Sequence, residues 1–373
     1  MRDLAMFEKL GHLIVRKRKT VFALFLLTVL VAGAIGSFSF ARMESGGYSV
    51  PNSDSAKAAK YVTDTFHVKD PAAVLVVRTK LGVVDPIAVS DAADLESKLS
   101  KEPGVARTLS YWSSGGAPTL LSSDKKSAFL FVYSKSKDVL NARDIGKIVL
   151  ERYDGKYKSL RVYAGGIAPF GYAINEKISK DLKIAEMISI PLTFLLLIFV
   201  FGGLISSATP LIVGVSSILG ALFIIYLISL ATGVSVFAMN LITGMGLGLG
   251  IDYALLIVNR FREELHHGKA VEEAVATTVA TAGKTVFYSG ITVIITLSSL
   301  MFFPLMFLKS FGYAGVAVVS VAIIAALIPL PAILALLGTR IDKWTVRKSA
   351  ITPKADGGWA KTARFVMKLS LIH

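Results

Sequence analysis

The sequence predicts a membrane-embedded bundle of six α-helices with an α+β domain inserted after the first. Three observations carry this. Of the 373 residues 53% are hydrophobic, the mean hydropathy is +0.61, and apolar runs long enough to cross a bilayer flank one long polar stretch. A net charge of +15 would suggest a nucleic-acid partner in a soluble protein. Here Lys and Arg cluster beside the apolar runs, where they set orientation, and no nucleic-acid partner is expected. The chain has no cysteine, which excludes disulfides, thiolate metal sites and a cysteine nucleophile.

Residues 1–19 form a basic, cytoplasmic N-terminus ending in Arg16, Lys17, Arg18 and Lys19, a cluster also suited to anionic lipid head groups. Residues 20–41 are the first span; the run is too long for a signal peptide and lacks a small-x-small cleavage pattern. Residues 42–183 are polar and mixed in charge and form the inserted domain, placed outside the cytoplasm by the single preceding crossing. A helix is expected at Ser55–Phe66 and strands at Ala73–Thr79, Ala106–Tyr111, Ala128–Tyr133 and Leu160–Ala164. Helices at Ile87–Leu99 and Ala142–Tyr153 complete a β-α-β-β-α-β order, that of a ferredoxin-like sandwich.

Residues 184–338 hold the remaining spans, expected at Ile184–Phe201, Leu211–Leu230, Val236–Asn259, Thr285–Leu308 and Ala314–Leu337. GGLISSATP reads as the turn between the first two of these. A cytoplasmic surface helix is expected at about 260–284, with Glu272 and Glu273 near its start and Lys284 at its end, as the helix dipole favours. Residues 339–373, with Arg340, Lys343, Arg347 and Lys348, are a cytoplasmic tail. Within it Trp359–Lys368, WAKTARFVMK, echoes FEKLGHLIVR at Phe7–Arg16, as the opening of a second repeat would. Both termini then lie in the cytoplasm.

The chain's chemistry concentrates in GMGLGLGIDYALLIVNR, Gly244–Arg260. From Met187 to Ile251 there is no charged residue or histidine, and then Asp252 and Tyr253 appear side by side. A carboxylate near the bilayer centre costs ~2.5–3.5 kcal/mol on insertion scales, so such residues face polar interiors and mark function. Asp252 is read as a group that binds and releases a proton, with Tyr253 as its hydrogen-bonding phenol. The competing reading is a permanently protonated Asp that joins helices. Gly244, Gly246, Gly248 and Gly250 make two overlapping GxxxG pairs for helix packing. Gly244, Gly248 and Asp252 share one stripe, with close packing expected above the acid. On the next span Thr285, Ser289, Thr292, Thr296 and Ser299 draw a hydroxyl stripe. Ser289, Thr292 and Thr296 are candidates to support the relay, or they serve ordinary helix packing.

Enzyme chemistry has no constellation to rest on. AGKT at Ala282–Thr285 ends like a phosphate loop, but Thr278 occupies the position of its first glycine. The five histidines are scattered and suggest no metal site, and no cofactor is expected.

GLGIDYALLIVNRFREEL followed by VEEAVATTVATAGKTVFYSGITV resembles spans four and five of the mycobacterial membrane protein large (MmpL) transporters of the RND superfamily. GGYSVPNSDSAKAAKYVTDTF is similar to the start of that family's external porter domain, and ALIPLPAILALLGTRID to the end of its sixth span. The resemblance implies export, or movement across the bilayer, of lipids and other hydrophobic molecules, driven by a proton gradient in the bacterial cytoplasmic membrane. Asp252 and Tyr253 match the family's proton-relay pair. Ile328 and Pro329 depart from the usual Thr before a proline in the sixth span, and Leu369 and Ser370 replace the basic-Pro start of the seventh. The expectation is a half-length transporter that works as a homo-oligomer or with a separate second half. The alternative is a truncated or accessory subunit that binds lipid or a partner through its external domain. A third reading, assistance in protein translocation, shares the architecture.

Overall fold

In the computed structural model, which describes residues 2–44, 50, 53–66, 69–136, 142–344 and 358–370, six helices are long and apolar enough to cross a membrane. With the family assignment below, they make this a multi-pass membrane protein. A five-stranded antiparallel sheet lies between the first two.

An amphipathic helix α1, Arg2–Arg16, precedes the first span and was not anticipated. The span itself is α2, Arg18–Gly36, continued by a short α3, Ser39–Arg42. Leu24, Leu26, Leu27 and Leu30 of α2 are exposed, as a lipid-facing surface requires. Beyond α3, Glu44 donates its N–H to the Val234 carbonyl (2.8 Å) and accepts from the Val236 N–H (2.9 Å). These bonds tie the exit of the first span to the start of the fourth.

Helix α4, Asp54–Phe66, has no buried residue. Strand β1 (Ala73–Arg78) leads through α5 (Pro86–Ser100) to β2 (Val105–Ser110), and β3 (Ser127–Ser134) leads through α6 (Arg143–Ile148) and a π-turn, Val149–Tyr153. Asp85 caps α5 by accepting from the N–H groups of Ile87 and Ala88, and Pro86 occupies the first turn, where its missing N–H is harmless. A three-residue edge strand β4 (Gly155–Tyr157) then pairs with β5 (Leu160–Gly165). The strand order is β2-β3-β1-β5-β4. Sequence reading missed β4, which is too short to show alternation. Leu75, Val77, Leu130, Val132 and Val162 are wholly buried on one face, against Ala92, Leu95, Leu99 and Val149 of the helical layer.

From the end of β5 one helix, α7, runs Ile167–Phe201 without interruption. Its 35 residues make about 52 Å at 1.5 Å per residue, well beyond a ~30 Å hydrocarbon core. The boundary drawn at residue 183 therefore falls inside a continuous helix whose first turns pack on α6. Helix α8 is Leu204–Ser229. The connection to it is only Gly202, left-handed at φ 71°, and Gly203, rather than the whole of GGLISSATP. Pro210 lies inside α8, where it withholds an N–H from the Ser206 carbonyl. The Thr209 hydroxyl donates to that oxygen at 3.0 Å and takes the missing donor's place.

Helix α9 spans Ala238–His266, and α10, Val271–Thr278, runs through a π-turn at Val279–Gly283 into α11, Lys284–Ser298. The expected surface helix at 260–284 is thus divided between the end of α9 and the start of the fifth span. Nor is it merely a solvated face. Ala274, Val275 and Ala276 are buried, and a methyl at Gly11 of α1 would stand 2.7 Å from the Ala276 Cα. The fifth span ends before Pro304. The sixth comprises α12 (Met306–Leu327) and α13 (Pro329–Leu337), broken at Ile328 because Pro329 starts a new first turn. In the sixth span 72% of the most apolar window is buried, against 11% in the first, so the sixth is the bundle's centre. Helix α14, Gly358–Ser370, covers the expected repeat opening. Arg347 and Lys348 lie outside the described residues.

Candidate functional site

Helix α9 divides its glycines between two faces. Two residues advance a helix by about 200°, so positions 246 and 250 oppose 244, 248 and 252. On the closed face a methyl at Gly250 would lie 2.8 Å from the Cα of Gly214 in α8. One at Gly246 would lie 2.6 Å from the Ile218 side chain and 3.2 Å from that of Val318. Both positions are buried. On the other face Gly244 and Gly248 have nothing within 4 Å of a built methyl, and they and Asp252 are exposed. The close packing expected above Asp252 is therefore found on the opposite side of the helix within this chain.

Tyr253, one residue and about 100° further round, is 4% exposed. Its phenol oxygen is buried without a hydrogen bond of good geometry, although Ser289 of α11 stands beside it. A methyl on the neighbouring Gly290 would come within 3.4 Å of the same oxygen. Among the described residues no hydrogen-bond or ion-pair partner of Asp252 is found.

The hydroxyl stripe of α11 is exposed along Thr285, Ser289, Thr292, Thr296 and Ser299. Thr292 donates to the Tyr288 carbonyl (3.0 Å) and Thr296 to the Thr292 carbonyl (2.9 Å), so these hydroxyl hydrogens satisfy their own helix and leave lone pairs facing outward. The structure brings Ser289 to Tyr253. It leaves Asp252, Thr292 and Thr296 on open surface, on two helices that both pack against α12.

At the far end of α9 the structure builds a cluster that no sequence motif singles out. Arg262, 6% exposed, donates to Asp342 Oδ1 at 2.8 Å and to the Phe201 carbonyl at 3.1 Å. His266 Nε2 lies 3.5 Å from the other Asp342 oxygen. Glu264, 3% exposed, holds both Arg260 and Lys269. One clamp thus joins the ends of the second, fourth and sixth spans. The only sequence signal was an Arg on the apolar side of FREEL and an Asp in RID.

A bundle of helices of membrane-spanning length, with a domain inserted between its first two spans and a carboxylate on an open helix face, defines a multi-pass membrane protein. The sequence profile of the MMPL family matches residues 47–373, and the chain belongs to that family. It is 35% identical over 370 residues to the Streptomyces coelicolor membrane protein SCO6666, covering 97% of this chain and 51% of that protein. It is 31% identical over 351 residues to the trehalose monomycolate exporter MmpL3 of Mycobacterium tuberculosis, covering 92% of this chain and 37% of the exporter. Similarity to the mycolic acid-containing lipids exporter MmpL11 of Mycolicibacterium smegmatis, 31% over 215 residues, covers 56% of this chain and 22% of that protein. The chain spans about half the length, or less, of these relatives.

Proposed function

We propose that the chain takes part in proton-driven export of lipids or similar hydrophobic molecules, with Asp252 and Tyr253 as the proton relay. The single observation that carries this reading is the open face of α9. A bare carboxylate, two exposed glycines and a neighbouring hydroxyl stripe have no reason to meet lipid, where an intramembrane acid is costly. A second helical surface, from another copy or a separate half, would cover that face and surround Asp252 with polar groups. Relatives described as lipid exporters support the substrate class. Moving one charge across 100 mV yields ~2.3 kcal/mol, an adequate drive without nucleotide.

In this reading the bundle sits in the bacterial cytoplasmic membrane with both ends inside, and the α+β domain is an extracytoplasmic porter domain. The order β2-β3-β1-β5, with helices between β1 and β2 and between β3 and β5, supports assigning it to the ferredoxin-like class with β4 as an added edge.

Proton flux into proteoliposomes tests the relay, comparing wild type with Asp252→Asn. Flux in the wild type that the variant loses is the expected result. Equal flux in both would remove Asp252 from the mechanism. Flux in neither, restored when a second helical half is added, would place the working relay in the larger assembly.

A further inference from the structure

The end of the sheet opposite the departure of α7 carries an unexplained concentration of positive charge. In the strand register Arg78 of β1 stands directly across from Arg161 of β5, and Arg161 directly across from Lys156 of β4. Like charges in directly opposed positions destabilise a sheet, and here three cations stand abreast on one face. With Lys80, Lys126 and Lys158 they line a cavity of about 590 Å³ that has no carboxylate among its lining residues. Lys158 is committed to Asp94 at 2.6 Å and to Asp91 at 3.6 Å. Asp124 stands close enough to Arg78 and Lys126 to feel their charge, but its carboxylate is engaged by the Ser122 hydroxyl and the Lys126 N–H. Arg78, Lys80, Lys126, Lys156 and Arg161 form no ion pair within 4.0 Å with any described residue.

The backbone supplies a second, independent observation. Among the described residues three that are not glycine have positive φ, and two of them, Lys125 at 53° and Lys158 at 49°, sit in the turns bordering this cavity. Left-handed turn positions favour Gly or Asn, so each lysine there is held against backbone preference. Both turns thus present lysine beside the cavity where Gly or Asn is the usual choice.

We propose that this cavity binds a phosphate group, carried by a soluble phosphoester or by a lipid head group. Arg78 and Arg161 supply the forked donors suited to phosphate oxygens, and the lysines add charge from the rim. A hollow of about 590 Å³ has the size of a small-molecule site, with room for a phosphoester or one lipid head group. The site is independent of the relay at Asp252 and would stand whether or not that relay does.

The test uses the full chain in neutral nanodiscs at constant chloride ionic strength. Glycerol 3-phosphate is titrated by calorimetry, and a parallel arm measures co-sedimentation with phosphatidylcholine vesicles with and without phosphatidate. Arg78→Gln/Arg161→Gln is compared with Lys101→Gln/Lys147→Gln, an equal charge change elsewhere on the domain. The expected result is that binding falls about tenfold or more in the first variant and less than about twofold in the control. In addition, ligand-free Arg161→Gln should melt at a higher temperature than wild type, because one of the opposed charges is gone. Saturable binding of glycerol 3-phosphate assigns a soluble ligand, and binding confined to phosphatidate assigns a head group; either supports the site. Equal loss in both variants, or no binding of either probe by wild type, would overturn it.

Discussion

The two faces of α9 use the same residue types at the same spacing and behave in opposite ways. Gly246 and Gly250 are buried at the contact with α8, close enough to Gly214 and Ile218 that a methyl group does not fit. Gly244 and Gly248 are just as small and meet nothing. What separates the pairs is the presence of a neighbour. The open pair is aligned with Asp252, and the closed pair lies on the side where the bundle's own helices supply the contacts. A GxxxG spacing thus shows that a helix is able to pack closely, without showing on which side it does.

The strongest way to break this comparison is to fill both faces. Gly250→Val should cost about 3 kcal/mol or more, because the obstacle is the Gly214 backbone and cannot swing away. Gly248→Val should change the stability of the chain by less than about 1 kcal/mol. The recovery of monodisperse protein after graded heating in micelles measures both, and equal losses would erase the distinction.

Charge sharpens the contrast further. Arg262→Ala removes the buried guanidinium that donates to Asp342 and to the Phe201 carbonyl and should cost about 2–3 kcal/mol in denaturant unfolding. Asp252→Asn on the open face should cost less than about 0.5 kcal/mol in the same assay, since no described residue pairs with it. A large stability loss in Asp252→Asn would show that the acid is structural.

Hydroxyls should follow at smaller scale. Thr209→Val removes the donor to the Ser206 carbonyl that Pro210 cannot reach and should cost about 1 kcal/mol. Thr296→Val removes a second donor from a helical carbonyl and should cost less than about half of that. Thermal midpoints of the two variants decide the order.

The smallest effect concerns a carboxylate that, unlike Asp252, has partners. Lys158, Lys98 and Tyr157 surround Asp94 and hold its carboxyl well below the usual range. A depressed folded-state pKa contributes stability that is present above the ordinary value of 3.8 and disappears as pH falls through the lower folded value. The melting difference between wild type and Asp94→Asn should therefore be seen at pH 7 and vanish in strong acid. A difference that persists there would exclude the ion pair as its source.

Much of the fold was legible because its causes are local. Apolar runs of bilayer length must form helices to satisfy their backbone, and alternation in 73–79 and 128–133 marks strands buried on one side. Boundaries were less legible where a helix continues through a change in composition. Helix α7 crosses from charged to apolar sequence without a break, because neither character interrupts the hydrogen-bond ladder. The first turns of α8 looked like a loop because Ser, Thr and Pro favour turns, yet Ser206, Ser207 and Thr209 hydroxyls bond to carbonyls of the same segment.

The sequence by itself determined that the chain crosses the membrane, that one polar domain interrupts the bundle, and that Asp252 is the carboxylate within the apolar runs. These follow from composition and period, which every residue carries with it. Only the tertiary structure decided that Gly246 and Gly250 are closed while Gly244, Gly248 and Asp252 are open, and that Arg262 is buried with Asp342. It also placed Arg78, Arg161 and Lys156 abreast. Each of these depends on residues between 5 and 83 positions apart in the chain coming together, and no local pattern records which distant surface a side chain will meet.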